Sequence, residues 1–120
     1  MKDVVRSAVF PILLGYGKTA RMTAWRLFAD YGVRSVLLDR EKPLGAFFSL
    51  FFTFRKLPSV SDEFTLMSLE RLSDEQSDMT CLIIPCTEHY AELIKRNRAR
   101  LECRFILRSP GNAVRVTPVK

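Results

Sequence analysis

Three short runs of consecutive apolar residues constrain the fold more than any other feature of the chain. They are Val9 to Leu14, Val36 to Leu38 with Ser35 ahead of them, and Cys81 to Ile84. Each is too short for a buried helix and lacks the apolar-polar alternation of a strand with one wet face. Such runs suit strands covered on both faces, as in parallel sheets. Pro11 has no N–H to give to a ladder, so the paired part of the first strand is expected to start near it.

Between these runs the apolar period changes to that of a helix. After Gly15-Tyr16-Gly17, a helix is expected to open near Thr19 as N-cap, with Ala20, Ala24, Leu27, Phe28 and Tyr31 on one side and Gly32 as its stop. Strand, helix and strand within about thirty residues make a βαβ unit, which forces its strands parallel with a right-handed crossover. Ser61 caps a second helix whose first turn carries Asp62 and Glu63 and whose buried side is Leu66, Leu69 and Leu72; the polar stretch Ser73 to Asp78 ends it. Thr87 caps a third helix, expected to run to about Glu102, and Arg104 to Leu107 reads as a last strand. The fold class is therefore α/β: an open parallel sheet with helices on both faces, in a single domain over residues 1–108. Residues 109–120, with Pro110, Gly111 and Pro118, read as a tail or linker.

Phe47, Phe48, Phe51, Phe52 and Phe54 crowd one stretch. Spacing of i and i+4 lets a short helix stack Phe47 on Phe51 and Phe48 on Phe52, with a brief strand from Phe52 towards Leu57. Two roles are open for the excess: ordinary core, or a contact with another domain or a second copy, making Phe47–Phe54 a candidate homodimer surface.

The net charge of +6 is concentrated between Lys95 and Arg108. Tyr90, Leu93, Ile94, Asn97 and Leu101 form one helical stripe and leave the basic residues on the opposite face, so a solvated helix face is expected in preference to a nucleic-acid surface. Three cysteines imply no disulfide framework, and a reducing cytoplasm is the expected compartment. No apolar run is long enough to cross a bilayer, and Ala8 to Leu14 lacks the cleavage site of a signal peptide. The chain is expected to be soluble.

In a parallel sheet, ligands bind beyond the carboxyl ends of the strands, near the switch in strand order. Three loops lie there. Gly15-Tyr16-Gly17-Lys18-Thr19-Ala20 is a G-x-G-x-x-A string between strand and helix, where glycines let backbone approach a phosphate and the helix start offers free N–H groups. Asp39 follows two dozen residues later, where a dinucleotide fold places an acid for a ribose hydroxyl. Steric need for glycine in a tight turn, nucleotide binding and another small-molecule site all remain open for this pair. The third loop, Pro85-Cys86-Thr87-Glu88-His89-Tyr90, brings a thiol, a hydroxyl, an acid, an imidazole and a phenol to a helix start. Thr87 as a cap and Glu88 on the dipole explain two of them without any chemistry. His89 is the only histidine and has no ligand-spaced companion for a metal; a Cys86–His89 nucleophile is the remaining, less favoured, option.

Taken together, Pro11-Ile12-Leu13-Leu14-Gly15 with Gly17, Val36-Leu37-Leu38-Asp39-Arg40, Phe48-Ser49 ahead of Leu57-Pro58, and Leu82 to Tyr90 followed by Glu92-Leu93 and Asn97 carry a resemblance over about residues 9–108. The chain resembles the N-terminal, pre-ATP-grasp domain of ATP-grasp carboxylate-amine ligases, the branch similar to D-aspartate ligase and the carbamoyl-phosphate synthase large subunit. The resemblance implies a Rossmann-like sheet that packs on an ATP-grasp module, in the same or a partner chain, and helps shape the pocket for a small carboxylate or amine. It implies that Gly15, Tyr16, Gly17, Asp39, Ser49, Thr87 and Glu88 face that pocket. Thr87-Glu88 stands where the family usually has Ser-Asp or Thr-Asp. ATP and magnesium would belong to the catalytic module, whose glycine-rich loop, phosphate lysine and metal carboxylates have no counterpart here. By this reading the 120 residues alone do not catalyse ligation, and nucleic acid and membrane are not expected partners.

Overall fold

The computed structural model describes residues 9–40, 51–57 and 61–108. They form β1 (Val9–Leu14), α1 (Lys18–Tyr31), β2 (Ser35–Asp39), β3 (Phe52–Lys56), α2 (Asp62–Glu75), β4 (Thr80–Pro85), α3 (Glu88–Arg96), α4 (Arg98–Leu101) and β5 (Phe105–Leu107). All five strands are parallel, in the order β3-β2-β1-β4-β5. This is a Rossmann-like α/β sheet. Its order reverses between β1 and β4, because β1 leads to β2 on one side whereas the chain returns from β3 to β4 on the other.

Side-chain alternation along the strands divides the core in two. Leu13, Leu37, Leu82 and Ile84 meet Ala20, Ala24 and Leu27 of α1 on one face. Ile12, Leu14, Leu38 and Ile83 meet Leu66 and Leu69 of α2 and Leu93 of α3 on the other. The apolar runs are continuous because both sets are buried, which is the condition that makes a parallel strand read without alternation. No helix among the described residues is long and apolar enough to cross a membrane.

Pro11 sits within the paired part of β1 rather than at its start, opposite Leu82 of β4. The N–H groups of Gly15 and Cys86 donate to Leu38 and Leu14, each at 2.8 Å. By the two-residue repeat of a ladder, odd-numbered N–H groups of β1 face β2, and the one that Pro11 lacks would point at Arg34, before β2 begins. Its ring thus removes no sheet bond.

Local chemistry moves several boundaries. The cap of α1 is Gly17, not Thr19: the Gly17 carbonyl already accepts from Arg21 N–H at 3.0 Å, and no side chain caps the helix. Gly32 ends it in the left-handed region, as expected, at φ 70°. Ser61 caps α2 by accepting from Glu63 N–H. Helix α2 runs through Ser73 to Glu75, because Leu72 is still needed in the core and its carbonyl bonds Gln76. The third helix stops at Arg96 rather than near Glu102; the Asn97 side chain donates to the Leu93 carbonyl at 2.8 Å and competes with the backbone for it.

Of the crowded phenylalanines, Phe47, Phe48 and Ser49 lie outside the described residues. Phe52 opens a strand, so the expected helix does not reach it. Phe51 packs on Phe28 with ring centres 5.4 Å apart, and Phe52 and Phe54 meet Tyr16 edge-on at 6.3 and 6.4 Å. These three belong to the α1 side of the core. The basic run is paired more fully than a solvated face would require. Arg96 reaches Asp62, Arg100 bonds Glu63 and Glu70, and Arg104 bonds Asp74, so α2 supplies the acids that neighbouring sequence lacks. The Arg100 hydrogen bond holds the Glu70 carboxyl below its ordinary pKa.

Candidate functional site

The turns after β1, β2 and β4 meet at the carboxyl rim, at the switch in strand order. Gly15 is buried, with φ +97°, a conformation that L side chains rarely adopt. A Cβ placed on it would lie 2.6 Å from Thr87 Cγ2 and 3.1 Å from Tyr90 Cδ2. Glycine is therefore required here twice, by the backbone and by the close approach of the β4–α3 turn. Thr87 in turn accepts from Tyr90 N–H at 3.4 Å and caps α3, with Glu88 exposed in its first turn.

Asp39 ties the second turn to the first. Its Oδ2 accepts from Tyr16 N–H at 2.8 Å, and its Oδ1 accepts from Arg40 N–H at 2.7 Å and from the Tyr90 hydroxyl at 3.4 Å. Burial, reinforced by the Asp39 charge, pushes the Tyr90 phenol up to about 12. Both carboxylate oxygens thus have protein donors, in positions where a ribose-binding acid would keep its acceptors for ligand.

Gly17 differs from Gly15 in every respect. A Cβ there would meet nothing within 4 Å, and the helix it opens has neither a side-chain cap nor an acid in its first turn. The N–H groups at the start of α1 are consequently those left for a ligand or water, whereas α3 satisfies part of its own start with Thr87 and Glu88. Tyr16 lies between the two, half-buried against Phe52 and Phe54, with Arg21 stacked 5.9 Å from its ring centre.

No protein-family model, curated protein or solved structure matches the chain.

Of the residues singled out from sequence, Gly15, Tyr16, Asp39 and Thr87 interlock, Gly17 and Glu88 flank them, and Ser49 lies outside the described residues. The phenol of Tyr90, one of the groups of the third loop, and the guanidinium of Arg40 join them, although neither was expected to face the pocket. Arg40 Nη2 lies 3.0 Å from both Asp62 Oδ1 and His89 Nε2, tying the end of β2 to the starts of α2 and α3. The charged pair Asp39-Arg40 closing an apolar strand was the available signal; partners 22 and 49 residues away in sequence left none.

Cys86 and His89 make no dyad. Cys86 packs on the α1 side of the sheet, whereas His89 faces Arg40 and Asp62 on the other side. Burial raises the Cys86 thiol to about 12, so it stays protonated at neutral pH and is a poor nucleophile. Among the described residues no three His, Cys, Asp or Glu side chains gather where they would hold a metal ion.

Proposed function

We propose that the chain is the substrate-side, N-terminal domain of an ATP-dependent carboxylate-amine ligase of the ATP-grasp type. It presents a small carboxylate or amine at the rim above Gly15, Gly17 and Tyr16 to a catalytic module that binds ATP and magnesium. One observation carries the reading. Three of the four segments that bear the resemblance, 23 to 72 residues apart, interlock at the carboxyl rim of the sheet: Gly15 lies against Thr87, and Tyr16 N–H donates to Asp39. Next to that lock, Gly17 leaves open space at an uncapped helix start, which favours an anionic group such as a carboxylate.

A nucleotide-binding regulatory module is the rival. The same helix start suits a phosphate, but the engagement of Asp39 with Tyr16, Arg40 and Tyr90 weighs against a ribose there.

Thermal shift separates the two. Aspartate and other small amino acids and dicarboxylates should raise Tm; a ligand at a hundred times its Kd adds about 2.7 kcal/mol by mass action. Gly17→Ser should abolish that gain without lowering the unliganded Tm. A gain with NADH or ATP, and none with carboxylates, would transfer the conclusion to the rival. A reading frame ending at Lys120 with no ATP-grasp gene beside it would count against the ligase reading directly.

A further inference from the structure

Four large apolar side chains stand in water as two matched pairs. Met22 and Trp25 of α1 are 54% and 52% exposed, and Phe64 and Met67 of α2 are 50% and 48% exposed. Each pair is spaced i and i+3, so its members adjoin on one helix face. In both helices that face lies opposite the residues given to the core, Ala20, Ala24 and Leu27 in α1 and Leu66, Leu69 and Leu72 in α2. Because α1 and α2 cover opposite faces of the sheet, the two pairs point away from each other across the molecule.

The charges beside the pairs differ in sign. Lys18, Arg21 and Arg26 surround Met22 and Trp25, all three exposed; α1 has no acid in its first turn, and its one acid, Asp30, falls near its end. None of these cations forms an ion pair among the described residues, and Arg21 only stacks on Tyr16. Around Phe64 and Met67 stand Glu63, Asp74 and Glu75, against one cation, Arg71. These acids are engaged within the chain without being used up. Glu63 bonds Arg100 and Asp74 gives one oxygen to Arg104, yet their side chains stay 59% and 71% exposed, and Glu75 has Arg55 only at 3.7 Å. An ionised carboxylate has about four lone-pair sites, so each can accept from a further cation.

Like faces repel and unlike faces match. Two α1 faces brought together would set Arg21 and Arg26 against their own counterparts, whereas α1 on α2 sets cations against acids around an apolar centre. We propose that the chain binds a second copy of itself, the Met22–Trp25 face of α1 in one copy packing on the Phe64–Met67 face of α2 in the next. The contact is heterologous. Since the two faces point in opposite directions, two copies cannot close on each other, and every copy added leaves one α1 face and one α2 face open. Two apolar side chains from each copy make a far smaller contact than the about 20–30 residues a side of a stable complex, so the association is weak and needs a high concentration of the chain. This inference does not rest on the ligase reading, because neither apolar pair belongs to the Gly15–Thr87 rim.

The test is sedimentation of the full chain at concentrations up to about 1 mM, the weak end of specific affinity. The mass should rise with concentration past that of a dimer, and the emission of Trp25, the only tryptophan, should move to shorter wavelength as it does so. Trp25→Gln and Phe64→Gln, both at half-exposed positions outside the core, should each stay monomeric over that range with an unfolding transition close to that of the wild type. Mixed in equal amounts, the two variants should form a heterodimer and nothing larger, because the first keeps only its α2 face and the second only its α1 face. Added salt should weaken the association, since the flanking charges are exposed. A wild-type chain that stays monomeric throughout would leave both faces to a different partner and overturn the proposal. So would a wild-type chain that stops at a dimer, a single variant that still assembles, or a mixture of the two variants that remains monomeric.

Discussion

The two helix starts at the switch in strand order are built in opposite ways. The β4–α3 turn looks after itself: Thr87 caps, Glu88 sits on the dipole, and the Thr87 methyl fills the space beside Gly15. The β1–α1 turn relies on others, since Asp39 takes its Tyr16 N–H, Thr87 packs against its first glycine, and Gly17 leaves the helix start without a side chain. One turn is a brace and the other is the thing braced. Of two adjacent helix starts, the open one is the better ligand platform, because its N–H groups have no competing side-chain acceptor.

The strongest way to break this arrangement is Gly15→Ala. A Cβ 2.6 Å from Thr87 Cγ2, on backbone at φ +97°, should cost roughly 2–5 kcal/mol through strain and overpacking together. Urea unfolding measures it, and adding Thr87→Ser, which removes that methyl, should recover part of the loss; strict additivity of the two changes would mean the turns do not touch.

Tyr90 is tested next, through pH. Its folded value of about 12 lies above the ordinary phenol value of 10, so the unfolded chain ionises first as pH rises. The stability due to its protonated phenol is complete below pH 10 and is lost between 10 and 12, at most about 2–3 kcal/mol. Tyr90→Phe should flatten that part of the alkaline unfolding profile, and absorbance at alkaline pH should lose the phenol that titrates at about 12. An unchanged profile would remove Tyr90 from the brace.

Thr87→Ala should cost about 1 kcal/mol, the scale of a lost N-cap, with the 3.4 Å bond placing it towards the lower end. The smallest effect belongs to Gly17→Ser. Serine is a favoured cap and its Cβ meets no neighbour, so stability should change by no more than a few tenths of a kcal/mol or rise slightly. A large loss of Tm in this variant would show that the space above Gly17 is needed by the protein itself and not by a ligand.

Much of the architecture was legible in the residues. Val9 to Leu14, Val36 to Leu38 and Cys81 to Ile84 announced doubly covered strands because burial on both faces removes alternation. Gly32 and Ser61 announced helix ends because their effects are local, reaching two or three residues along the chain. Reading failed where a distant group intervened. Pro11 is harmless in mid-strand only because β2 starts too late to need its N–H; the basic run from Arg96 to Arg104 is solvent-exposed as expected, but the acids that pair with it, Asp62, Glu63, Glu70 and Asp74, come from α2 and left no local signal.

The candidate site shows the same division. Sequence by itself determined that glycines, an acid and a hydroxyl stand after successive strands, and that parallel pairing delivers all of them to one rim. Only the tertiary structure decided that Gly15 and Gly17 are unlike, that Asp39 is engaged by backbone and phenol, and that Arg40 reaches across to α2 and α3. The physical reason is range. Strand burial and helix capping are written in neighbouring residues, whereas the approach of Thr87 to Gly15 spans 72 residues and depends on how two parallel strands pair.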